Sequence, residues 1–307
     1  MNFTRNLRKK LTYSSLRLGR RLAQKGGYGD VERLRKILIG FMQIAFPLRR
    51  QLERNMKLTG VYQPELMDAY FDRATDQLIM MAHGFRADFD LSFLLKSFRF
   101  DDSFVHLEQA YAKGKGVMVV AGHLCGYPSV VTVISTRLPC AVYSRRNKDS
   151  KKVAIMEAIA KAGKVEVIYR PESSNRAEKL QAVIDALRQS KMLFITPDTP
   201  RKPHEGVAVN ILGKTAYFPA GVFVMSMRTG APVVPVWWRW EQDCYRIYFS
   251  EPIELSRGGG KIREKAEAGM KQWSCQLDTF IRAYPEMWWN WLDKRWTQII
   301  RNHNNLK

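Results

Sequence analysis

Several things are scarce in this sequence, and each absence excludes something. No run of 18–20 continuous apolar residues occurs, so no transmembrane helix is expected. The best apolar stretch near the N-terminus, residues 37–47, is too short to span and carries Gln43. The first 25 residues are interrupted throughout by Arg and Lys, which argues against a secretory signal. Cysteine is limited to Cys125, Cys140, Cys244 and Cys275, widely spaced and without a CxxC pair, so neither a disulfide framework nor a zinc site is expected. There is no P-loop and no dinucleotide GxGxxG. The run Gly258-Gly259-Gly260 lacks the strand-loop-helix setting of a phosphate cradle and reads as a turn. Neither metal nor organic cofactor is expected.

Acids are also few. Against 50 Lys and Arg stand 29 Asp and Glu, a net charge of +21. Such a charge says little about fold and much about partners: nucleic acid, anionic headgroups or a phosphorylated glycolipid. The excess is uneven, since residues 1–60 hold 15 bases and three acids. Residues 1–25 read as a basic amphipathic helix suited to lying in a membrane interface, with Gly26, Gly27 and Gly29 marking a turn after it. A solvated helix packed on the body is the plainer alternative. Residues 31–58 and 63–98 read as helical. We take 1–100 as a basic, membrane-associated helical region and 101–307 as the catalytic domain.

From about residue 115 short β-branched runs alternate with helical stretches. Strands are expected at Val117–Ala121, Cys140–Tyr143, Val165–Tyr169, Met192–Thr196, Val207–Leu212, Val233–Trp240 and Tyr245–Phe249. The alternation implies an α/β fold, a mostly parallel sheet covered by helices on both faces. Ligands of such sheets sit beyond the carboxyl ends of the strands. That rule selects the loops beginning at Gly122, Ser144, Arg170 and Pro197.

His123 follows VMVVA directly and is placed where a general base would stand, because neutral imidazole can take a proton near neutral pH. A structural histidine is the commoner fate of a lone one. Asp198 follows LFITP in the same way; it either caps a turn beside two prolines, or orients His123, or contacts the acceptor. Arg145 and Arg146 at one strand end, and Arg201 and Lys202 in the loop after Asp198, suit phosphate recognition or, equally, a solvated basic edge. The tail at 284–296 holds four of the eight tryptophans and reads as core or interface.

Taken in order, four segments resemble the late acyltransferases of lipid A biosynthesis, within the lysophospholipid acyltransferase superfamily. They are RRQLERNMKL (49–58), GKGVMVVAGHLCGYP (114–128), the block from MLFITPDTPRKPHEG (192–206) to RTGAPVVPVWWRW (228–240), and PEMWWNWLDKRW (285–296). The tail carries one extra residue and has Asp293 where the family tends to have His.

The resemblance implies a peripheral enzyme on the cytoplasmic side of the inner membrane. It would move an acyl group from an acidic carrier-protein thioester to a hydroxyl of phosphorylated lipid A, or of a chain already on it. It also implies His123 as base, helped by an acid five positions on. That position is Pro128, and the loop from Leu124 to Ser129 contains no acid. Three outcomes stay open. Another acid substitutes, with Asp198 and Glu172 nearest by the strand-end rule. Or the donor differs, as in the family's glycyltransferase branch, where an aminoacyl thioester brings its own ammonium and the product resists cationic antimicrobial peptides. Or the protein binds lipid without catalysis. A nucleic-acid role has only the charge in its favour, since no recognised module is present.

Overall fold

The computed structural model describes residues 35–36, 46–83, 91–146, 149–170, 176–255 and 260–302. The amphipathic segment at 1–25, the turn after it, Glu172 and most of the triple glycine lie outside the described residues.

The chain enters through helices α1 (Phe46–Thr59), α2 (Pro64–His83) and α3 (Leu91–Ser97). There follow β1 (Phe98–Phe100), α4 (Phe104–Tyr111), β2 (Val117–Val120), α5 (Tyr127–Ser135), β3 (Cys140–Arg145), α6 (Ser150–Ala162), β4 (Glu166–Arg170), α7 (Arg176–Arg188) and β5 (Met192–Ile195). A hairpin of β6 (Val207–Ile211) and β7 (Lys214–Phe218) precedes α8 (Gly221–Thr229), β8 (Val233–Glu241), β9 (Cys244–Phe249) and α9 (Ile262–Ala283). Two 3-10 turns, Pro285–Met287 and Trp289–Leu292, lead to α10 (Lys294–Asn302).

The main sheet has seven strands in the order β1-β9-β8-β2-β5-β3-β4. Its neighbours run parallel except β8 and β9, a hairpin. The hairpin β6–β7 forms a separate two-stranded antiparallel sheet. All four residues of β2 are fully buried. Successive strand side chains point to opposite faces, so the centre of the sheet is covered on both sides. This is why VMVV is continuously apolar rather than alternating.

Two expectations need correction. The helix read through residue 98 stops at Ser97, and Phe98 opens β1, pairing with Tyr245 of β9. The strand read as Cys140–Tyr143 extends to Arg145, so that arginine ends the strand rather than following it. Lys214–Phe218, to which the sequence assigns no element, is a further strand.

The N-terminal helices and the C-terminal tail hold each other. Asn55 of α1 is fully buried and donates to the Trp291 carbonyl at 2.8 Å and to the Thr297 hydroxyl at 3.1 Å. Trp288, Trp291 and Trp296 are all but fully buried, and Trp288 meets the other two edge-on. The tail therefore packs as core.

Candidate active site

Strand register brings the site together. In the β2–β5 pair Val120 lies opposite Ile195. His123 and Asp198 each stand three residues beyond those ends, so they arrive side by side although three strands and three helices separate them in sequence. The ring Nδ1 of His123 contacts the Asp198 carboxylate at Oδ1. The backbone N–H of His123 donates to Oδ2 of the same carboxylate at 2.8 Å.

A carboxylate only accepts, so Nδ1 carries the ring proton and Nε2 presents a lone pair. The hydroxyl of Thr196 donates to that Nε2 at 3.3 Å. The His123 side chain is 32% exposed and Asp198 is fully buried. The imidazole is thus partly open to solvent while its partner is dry. Burial opposes charging of the ring, but the nearby Asp198 charge and hydrogen bond more than offset it, with Arg295 opposing and Asp293 adding slightly. The imidazole pKa consequently lies above the usual value of 6.5.

The loop that carries His123 is fastened at every turn. The carbonyl of His123 accepts from Trp289 N at 2.9 Å, and Cys125 N donates to Met287 O at 2.7 Å. Together these form an antiparallel bridge between Leu124 and Trp288. Trp238 Nε1 donates to the Cys125 carbonyl at 2.6 Å, and Gln77 Oε1 accepts from Gly126 N at 3.0 Å. Gly126 has φ +87°, which favours glycine, and starts α5. Pro128 sits in the first turn of α5, where a missing N–H costs nothing. At Gly122 a Cβ would meet Leu277 Cδ1 at 2.7 Å, so a side chain at the turn into the histidine would have to displace the tip of Leu277.

The arginines form a second feature. Arg145 and Arg170 are register partners at the carboxyl ends of β3 and β4, and both are exposed. Arg201 is half-buried; its guanidinium is held below the usual range by burial and then by Arg170, with Arg295 and Arg145 adding and Glu205 opposing. These four guanidiniums therefore share one field. Arg295 is itself held bidentate by Asp293, at 3.1 and 2.9 Å. Arg146 instead lies over the Tyr169 ring, 5.2 Å from its centroid, and Lys202 is exposed at the start of a 3-10 turn. The sequence marks Arg170 only as the start of a strand-end loop, not as an anion contact, because its neighbour across the sheet cannot be read from one strand; it does not pick out Arg295.

Cys125, two residues from the histidine, is fully buried, and burial pushes its thiol far above the usual range. It is chemically silent. No helix among the described residues is long and apolar enough to cross a membrane.

A partly exposed histidine oriented by a buried carboxylate at the carboxyl edge of a mostly parallel sheet is an arrangement able to do general-base chemistry in transfer or hydrolysis. The family model for bacterial lipid A biosynthesis acyltransferases matches residues 78–298, and the chain belongs to that family. No curated protein matches it.

Proposed function

We propose that the protein transfers an acyl or aminoacyl group from a carrier-protein thioester to a hydroxyl of lipid A, or of an acyl chain already on it. It would act as a peripheral protein on the cytoplasmic side of the inner membrane. The observation that carries the reading is the bond between His123 Nδ1 and Asp198. It supplies an acid for the histidine from β5, where the position five residues on holds Pro128.

In this reading the acceptor hydroxyl takes the place of Thr196 at Nε2 and gives up its proton there. The oxygen attacks the thioester carbonyl, a C–O bond forms and the C–S bond breaks. The departing sulfur takes the proton back from Nε2. Asp198 holds the tautomer and steadies the transient imidazolium. Arg145, Arg170 and Arg201 would engage acceptor phosphate, with Arg146 and Lys202 at the rim. The net charge suits an anionic membrane surface and an acidic carrier.

Because Asp198 meets the ring, Pro128 no longer calls for an unusual donor. A glycyl donor, with resistance to cationic antimicrobial peptides as the outcome, remains the narrower form of the proposal. Mass spectrometry of lipid A from the native host tests both, with the gene intact, deleted, and restored as His123→Ala. Loss of a fatty-acyl mass on deletion supports acyl transfer; loss of an amino-acid mass supports the glycyl form. Restoration by His123→Ala, or no lipid A difference on deletion, overturns the proposal.

A further inference from the structure

Among the described residues, the Asp198 carboxylate has one donor beyond those supplied by His123. Asn290 Nδ2 donates to Asp198 Oδ2 at 2.8 Å. Asn290 is only 7% exposed, and it sits between Trp289 and Trp291 in the second 3-10 turn of the tail. A buried amide among aromatic rings is costly unless it is bonded, and a leucine would fill the same volume without that cost. The turn that presents it is fixed independently. Trp291 Nε1 donates to the Pro285 carbonyl at 2.7 Å, and Trp296 Nε1 donates to the Asp198 carbonyl at 3.1 Å.

We infer that Asn290 is a positioning residue for the His123–Asp198 pair. Its amide holds Oδ2 so that the pair meets substrate with an anionic carboxylate and an uncharged imidazole. The catalytic meaning of this rests on the transferase reading; the electrostatic effect does not. The amide stabilises the anion, and the anion with neutral imidazole is the state that accepts the acceptor's proton. Removing the amide destabilises that state relative to the one with an extra proton, whichever partner takes the proton. The pair then takes up a proton at higher pH. The other titratable or charged groups facing it among the described residues are Tyr127 from α5, whose ring centroid lies 6.1 Å from that of His123, and Arg295 and Asp293 at the start of α10. None of these is changed in the test.

The test is an NMR titration of the His123 ring in the full chain, its resonance assigned by loss in His123→Gln. Wild type is compared with Asn290→Leu and Asn290→Ala; the alanine, smaller than asparagine throughout, keeps the test alive if leucine does not fold. A charge-assisted hydrogen bond lost from the anion should raise the midpoint by about one pH unit, roughly tenfold in proton affinity. Asn290→Asp, which sets a second carboxyl there, should raise it further. An unchanged midpoint in a folded leucine or alanine variant overturns the inference. The titration needs neither donor nor acceptor, so it answers separately from the lipid A experiment. Where transfer is measurable, the acid limb of kcat should move up by the same amount while KM stays put, a split that loosened packing would not produce.

Discussion

The carboxylate of Asp198 is bonded twice to His123, once through the ring and once through the backbone N–H, across 75 residues of sequence. Double attachment matters because a single bond to a ring leaves the carboxylate free to rotate. With one oxygen on Nδ1 and the other on the backbone, the imidazole plane and its tautomer are set before substrate arrives.

Asp198→Asn should therefore cost far more than lost packing. The amide is nearly isosteric but can turn an N–H toward the ring and favour the wrong tautomer. Transfer should fall by about a thousandfold or more, while the thermal melt still shows a folded protein. Activity within tenfold of wild type would remove Asp198 from the mechanism.

The pH dependence follows from the raised imidazole pKa. Only neutral His123 is a base, so kcat/KM should rise with pH to a half-maximum above the ordinary 6.5. Stability runs the other way. A group whose folded pKa is raised contributes stability that is complete below its unfolded pKa and is lost as pH rises through the folded value. The Tm difference between wild type and His123→Gln should accordingly shrink with rising pH over the interval in which activity grows. A half-maximum below 6.5 would contradict the geometry.

Pro128, five positions after His123, sits in the first turn of α5. Pro128→Ala should keep activity within about threefold and lose about 0.5–1 kcal/mol of stability through the freed backbone. A hundredfold loss of activity would mean the pyrrolidine itself shapes the substrate site.

Much of the site was legible because strand ends are where α/β sheets place chemistry. His123 and Asp198 could each be picked out by that rule, and the β2 and β5 runs are apolar enough to locate. Their meeting could be offered only as one alternative beside Glu172, since it depends on β5 inserting between β2 and β3 against chain order. Edge strands were hidden for a similar reason. Phe98–Phe100 is three residues long and owes its conformation to β9, so its local pattern continued a helix. Asn290 did leave a trace, a lone amide among four tryptophans, which in a buried segment must have a partner. The tail was read for its aromatics, and the amide passed as incidental.

The arginine cluster makes the last prediction. Arg145, Arg170 and Arg201 crowd one another, and a half-buried cation near like charges is stabilised when an anion enters. Each of Arg170→Ala and Arg201→Ala should raise KM for a phosphorylated acceptor roughly tenfold or more, as expected for a lost charge-assisted contact. kcat should change little, because the pair at Nε2 is untouched. Rising salt should weaken acceptor binding less in the variants than in wild type, since each has one charge fewer to screen. A fall in kcat with KM unchanged would place these arginines at the transition state rather than on the acceptor phosphate.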